Sequence, residues 1–233
     1  MRSTELLIVT ESIVRLSVMR ISKLSERTGV SVASIKYYTR EGLLPAGEHI
    51  GYNSTDYVEV HVERLRLIRA LIDSGGLSVA AAGRVIAALD DPDVSLPQVF
   101  GIAQEAVPRE VNAPSETALD VVREVMRERG WATVPENPGI ALAASVIDDL
   151  ARIGHTEVTD QLPRYAEAID LIADADLDAV AASGDDERRA ETVVVGIALG
   201  DALLAGLRRI AQEAHTHRRY NDGAVPTEHQ EPA

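Results

Sequence analysis

The sequence predicts an all-α protein with a small β wing: an N-terminal winged helix-turn-helix domain and then a C-terminal helical bundle. Three observations carry that prediction. Of the 233 residues, 45% are hydrophobic but only 3% aromatic, and the apolar content is mostly Ala, Val, Leu and Ile, which suits helix packing better than a β-sandwich. Capping residues and glycines recur at helix-length intervals through most of the chain. Finally, the charge divides by region. Residues 19–90 carry nine Lys+Arg against eight Asp+Glu, whereas residues 91–233 carry twelve against twenty-seven.

The elements follow in order. Residues 1–18 are apolar in places but interrupted by Glu5, Glu11 and Arg15. They are expected to form a disordered extension upstream of a start at Met19. Ser22 is placed to cap a helix running to Thr28, closed by Gly29, and Ser31 to cap a second helix closed by Gly42. Two short helices around a glycine-containing turn make the helix-turn-helix pattern. Ile21, Leu24, Val30, Ile35, Tyr38 and Leu43 are spaced to bury one face. Ser31, Val32, Ser34, Lys36, Tyr37 and Arg40 fall largely off it. Small residues at the start of a helix, then cations and hydroxyls, suit a major-groove helix. The stretch LLPAGEHIGYNSTDY reads as a two-stranded wing built on His49–Ile50, Tyr52 and Tyr57. A helix with Val62, Leu65, Ile68 and Ile72 on one stripe runs to Gly75-Gly76, and Ser78 caps another through Leu89. These residues bound a domain over 19–90.

The ordered string RISKLSERTGVS…IKYYTREGLLP…GYN…DY…HVERLRLIRAL…GGLSVAAA resembles the winged-helix DNA-binding domain of the MerR family of bacterial transcription regulators, over about a third of the chain. The resemblance implies a homodimer whose recognition helices enter successive major grooves of a pseudo-palindromic promoter. It implies bending and untwisting of that promoter for RNA polymerase, an indirect readout. Carried over by position, Ser31, Val32, Lys36 and Tyr37 would contact bases and phosphates. Tyr52 and Asn53 would act from the wing, and Arg64 would hold backbone. The sequence departs from the family pattern in three places. Asn53 stands where an Arg is usual, with Tyr57 two positions late, which implies a wing insertion. Val58 stands where a helix cap is usual, leaving Asp56 as a substitute. The family's long dimerisation helix begins well, with Ser95 as cap and Gln98 at the capping-box position, but Pro108 cuts it short.

Residues 91–114 therefore read as a connecting helix and linker, and 115–219 as an all-helical dimerisation and effector domain. Ser115 caps a helix to Gly130, and Asn137-Pro138 opens one to Gly154. A third spans roughly 163–182, and the longest 185–217. Residues 220–233 are expected to be a disordered tail. On the last helix, Val193, Gly196, Gly200, Leu203, Leu204 and Leu207 are the expected dimer surface, with Gly196 and Gly200 spaced to admit a close helix. The arrangement is similar to the C-terminal helices of TetR-type regulators, without a motif specific enough for homology. Phe100, Trp131, Tyr165 and Asp201 are the residues that could line a small-molecule pocket.

Several classes are disfavoured. The chain has no cysteine, which removes disulfides, thiolate metal sites and thiol redox sensing. The six histidines show no metal-ligand spacing, and no phosphate loop or nucleophile elbow occurs. No catalytic residue, metal or cofactor is assigned. Thr192–Leu207 is the most apolar stretch, but Asp201 interrupts it and it falls short of the ~20 residues that span a bilayer. The expected location is the cytoplasm, on the nucleoid and away from the membrane. The expected partners are promoter DNA, a second copy, RNA polymerase and a small organic effector. A competing reading is a ligand-sequestering or protein-interaction module in which the acidic helical domain is the functional part.

Overall fold

The computed structural model describes residues 18–49, 55–107 and 112–220. The expected N-terminal extension apart from Val18, the wing tip with Tyr52 and Asn53, and the expected tail apart from Tyr220 lie outside the described residues. The chain divides into two compact units between Ile68 and Arg69.

The first unit holds α1 (Ile21–Thr28), α2 (Val32–Arg40), a two-stranded antiparallel ribbon and most of α3 (Glu59–Arg69). Leu24, Ile35, Val62, Leu65 and Ile68 have no exposed surface, and Leu43 and Leu44 very little, so the predicted apolar stripes do converge. The turn between α1 and α2 is fixed by its own polar groups. Gly29 takes a left-handed conformation, φ 68°, which only glycine adopts cheaply. The Ser25 hydroxyl donates to the Val30 carbonyl at 2.6 Å and Thr28 to the Leu24 carbonyl at 2.8 Å. Strands β1 (Glu48–His49) and β2 (Thr55–Asp56) pair in the register Glu48↔Asp56 and His49↔Thr55. A Cβ at Gly47 would come within 2.6 Å of the Asp56 carbonyl oxygen, so the ribbon can only close on a glycine there.

The structure revises three local expectations in this unit. Arg20, not Ser22, holds the N-cap position of α1, with no side-chain cap. The chain before that helix is pinned instead by a bridge between Met19 and Tyr57 and by the Arg20–Asp56 ion pair at 2.7 Å. Tyr57 is thus buried at the base of the wing rather than paired within the ribbon. With Asp56 so engaged, the start of α3 is served by His61: the Val58 N–H donates to its Nδ1 at 3.1 Å. An imidazole three residues in does the work of the glutamate in a capping box.

The second unit begins where α3 widens into a π turn, Ala70–Ser74. The expected unbroken helix to Gly75 is interrupted there, and Leu71, rather than Ile72, is fully buried. Then come α4 (Val79–Asp90), α5 (Leu96–Ala106), α6 (Glu116–Arg129), α7 (Pro138–Arg152), a one-turn α8 (Thr156–Thr159), α9 (Leu162–Ala181) and α10 (Asp186–Tyr220). Sequence reading anticipated all but α8. Ser78, Ser115 and Asn137 cap as predicted, accepting from Ala81, Ala118 and Gly139 N–H groups at 3.1, 3.2 and 2.9 Å. At Ser95 the backbone N–H and the hydroxyl both donate to Gln98 Oε1, at 2.8 and 2.7 Å.

Helix α10 packs on α5, α9, α4 and the π turn; α4 packs on α5; α6 packs on α7 and α9. The unit boundary precedes the residue-90 limit suggested by charge, because α4 packs on α5 and α10. A Cβ at Gly75 would sit 2.7 Å from the Leu71 carbonyl oxygen and 3.1 Å from Ala198 Cβ, so the π turn meets α10 through a residue with no side chain. By length and composition alone α10 could cross a membrane, a test that the core helix of a soluble protein also passes. Within this unit, however, Val193, Val194 and Ala198 are buried.

Candidate nucleic-acid interface and a cleft in the C-terminal unit

Helix α2 presents the predicted surface. Its N-terminus is closed by Ser31, whose Oγ accepts from the Ser34 N–H at 3.0 Å while the two hydroxyls lie 2.8 Å apart. Ile35 anchors the inner side with no exposure. Ser31, Lys36, Tyr37 and Arg40 are exposed, and Val32 and Ser34 half-buried. The Arg40 guanidinium sits 5.1 Å from the centroid of the Tyr37 ring, a cation–π contact that steadies both side chains on the outer face.

The charges on this unit are largely committed. Arg20 pairs with Asp56, Lys23 with Glu26, Arg27 with Glu59 and Arg40 with Glu41. Arg27 makes two hydrogen bonds to Glu59, at 2.7 and 2.9 Å, and they hold the Glu59 carboxyl below the usual carboxylate range. Among the described cations of α1, α2 and the ribbon, Lys36 alone has no carboxylate partner. It stands at the middle of the exposed face. Arg64 is half-buried on α3, so its guanidinium is less open than a backbone-gripping role would suggest.

The C-terminal unit holds a cleft of about 990 Å³ lined from α4, α5, α7, α9 and α10. As a dry apolar void of that size it would cost about 24 kcal/mol at ~24 cal/mol per Å³, more than the roughly 5–15 kcal/mol net stability of a whole domain. The space is therefore solvent-filled. Small residues create it: Ala81, Ala106, Ala141, Ala179, Gly196 and Gly200 all face it. A Cβ at Gly196 or Gly200 would meet nothing within 4 Å. Within the protomer these glycines line the cleft.

Of the four expected pocket residues, Phe100 and Asp201 line this cleft, and Trp131 and Tyr165 do not. Trp131 Nε1 donates to Asp170 at 2.6 Å, beside the Arg129–Asp170 ion pair, tying the end of α6 to α9. Those bonds, the arginine's first, hold the Asp170 carboxyl below its usual range. Tyr165 lies under Arg208, 5.7 Å from ring to guanidinium. Of the expected dimer residues, Val193 is buried in the protomer's own core. Leu203 and Leu207 are 64% and 54% exposed, with Ile210 at 67% on the same stripe. Among the described residues no group of three His, Cys, Asp or Glu is placed to hold a metal ion.

A capped recognition helix, a glycine-closed ribbon and a buried junction between them define a winged helix-turn-helix DNA-binding regulator. The comparisons agree. The profile described as the MerR HTH family regulatory protein matches residues 19–89. Among solved structures, SCO5550 from Streptomyces coelicolor A3(2), a candidate transcriptional regulator, is similar at 33% identity with a TM-score of 0.66. That match covers 87% of this chain and 98% of that one. No curated protein matches. The chain belongs to the MerR family of helix-turn-helix regulators.

Proposed function

We propose that the protein regulates transcription as a cytoplasmic homodimer. Each protomer sets α2 into one half-site of a pseudo-palindromic promoter, and the pair distorts the DNA between them for RNA polymerase. The observation that carries the proposal is the face of α2, where an unpaired Lys36 and an Arg40-braced Tyr37 stand beside a serine-capped N-terminus. Lys36 is matched to phosphate, the serines and Val32 to base edges, and the wing with Tyr52 and Asn53 to flanking backbone. Two half-sites require two heads. The exposed stripe Leu203, Leu207 and Ile210 supports α10 as the joining surface, since an apolar face of this kind is uncommon on a soluble monomer. The cleft with Phe100 and Asp201 is assigned to a small organic effector.

The test is footprinting on the DNA upstream of the gene, with sedimentation of the same protein. The proposal requires protection of two half-sites one or two helical turns apart by a dimer. A Leu203→Glu/Leu207→Glu variant should sediment as a monomer and lose the paired footprint. A monomeric wild type, or no preference over bulk competitor DNA, overturns it.

A further inference from the structure

We infer that the distal half of α10 pairs in parallel with the same segment of a second copy, as a short two-stranded coiled coil. Its seam is Leu203, Leu207, Ile210, Ala214 and His217. The inference rests on the dimer reading above and adds the orientation and register of the pair. From Leu207 to Tyr220 every residue of α10 is exposed, although a helix takes most of its stability from packing an apolar face. The five seam residues follow one another at intervals of four, three, four and three, the heptad rhythm that keeps one stripe against a partner helix. All five are exposed.

The contacts that α10 makes within its own protomer lie elsewhere on the helix. Ile197, Asp201 and Leu204 line the cleft, and Arg208 lies over the Tyr165 ring of α9. At 3.6 residues per turn these four positions share one side of the helix and the seam occupies another. Pairing through the seam therefore leaves the cleft lining in place.

The flanks of the seam identify its occupant. With Leu207 and Ala214 at a positions and Leu203, Ile210 and His217 at d, the g positions are Gly206, Glu213 and Tyr220. The e positions are Leu204, Ala211 and Arg218. In a parallel pair each g residue faces the e residue five places further along the other helix, so Glu213 meets the partner subunit's Arg218, and by symmetry the contact occurs twice. In an antiparallel pair g faces g and e faces e, and no register then gives either residue an opposite charge. Within its own chain the ion-pair contact of Glu213 is a long one, 3.9 Å to His217 Nε2. Arg218 has no carboxylate partner among the described residues. Ala214 admits close approach, and His217 pins the register, because a slip would set this polar seam residue against an apolar one.

The chain has no cysteine, so single cysteines in the full chain report the register without background. Leu203→Cys, Ile210→Cys and His217→Cys are each oxidised mildly and run without reductant. A disulfide needs Cα atoms within about 7 Å. A parallel, in-register pair should cross-link all three, whereas antiparallel helices bring a position against itself at one point at most. Gln212→Cys, on the outer side of the helix, should not cross-link. Charge reversal supplies the second arm. Glu213→Arg and Arg218→Glu should each weaken the dimer in sedimentation by about threefold to tenfold, and the double variant should restore it, since two exposed ion pairs are exchanged. All these positions are exposed, and circular dichroism checks the fold. If Leu203→Glu/Leu207→Glu breaks the dimer but fewer than three cysteines cross-link, or the double reversal fails to restore it, the parallel register falls and α10 stands as the joining surface. If no cysteine cross-links and Leu203→Glu/Leu207→Glu leaves the dimer intact, α10 falls as the joining surface too. A monomeric wild type overturns both.

Discussion

The first unit and helices α6 to α9 of the second are built from different side chains. In the first, the residues without exposed surface are Leu24, Ile35, Val62, Leu65 and Ile68. In α6 to α9 of the second, the buried residues are Ala118, Ala144, Ala166 and Val180. Large branched side chains interlock and hold a surface in one geometry. Small ones leave space between helices. The difference teaches that large interlocking side chains are concentrated in the unit that carries the helix-turn-helix, and free volume in the unit that carries the cleft.

Core truncation should show the contrast most strongly. Leu65→Ala is expected to cost about 2–5 kcal/mol, enough to lose the head's cooperative melting. Leu142→Ala, half-buried beside the cleft, should cost under ~1.5 kcal/mol because space is already present. Equal losses in chemical denaturation would break the comparison. Glycine substitutions sharpen it within the second unit. Gly75→Val drives a side chain into the Leu71 carbonyl and Ala198 and should cost about 1–3 kcal/mol. Gly200→Ala points into open space and should stabilise α10 by about 0.5–1 kcal/mol.

On the head, Lys36→Ala should weaken DNA binding about tenfold and reduce the slope of log affinity against log salt by about one, read by anisotropy at several salt concentrations. Lys23→Ala, whose partner is Glu26, should do much less. Ser31→Ala removes the cap of α2 and should cost about 1 kcal/mol.

The smallest effect concerns acid. Asp148 accepts from both the backbone N–H and hydroxyl of Ser115, at 2.7 Å each, and these bonds hold its carboxyl below the usual range. Asp170 is lowered by Arg129 and Trp131. A carboxyl depressed in the folded state contributes stability that is complete above the ordinary Asp value of about 4 and is withdrawn as pH falls through the lower folded value. The denaturation midpoint of the C-terminal unit should therefore fall below about pH 4. Asp148→Asn and Asp170→Asn should each flatten that fall and leave the profile above about pH 5 unchanged in shape.

Most of the first unit was legible because its signals are local: Ser31 caps, Gly29 turns, and Leu24 and Ile35 repeat at helical spacing. What escaped was long-range. No periodicity reveals that Met19 bridges Tyr57, or that His61 serves a helix start lacking its usual serine or aspartate. The His at the third helical position was a readable signal, since a side chain there reaches back to the cap. In the second unit the helices were legible from Ser115, Asn137-Pro138 and Gly130, but not their mutual spacing. Gly196 and Gly200 read as a pair spaced for close helix approach between protomers, and nothing in that spacing reveals that within the protomer they line a cleft. Trp131 and Tyr165 read as pocket aromatics, yet the hydrogen bond to Asp170 and the contact with Arg208 hold them elsewhere.

The pairing of Arg20, Lys23, Arg27 and Arg40 with carboxylates has a kinetic consequence. A reading head that holds most of its surface cations in ion pairs would adhere weakly to arbitrary duplex, since sequence-blind adhesion comes from phosphate neutralisation. Such a head would spend little time sliding and would find a target site by frequent release and recapture, so occupancy would follow cellular copy number closely.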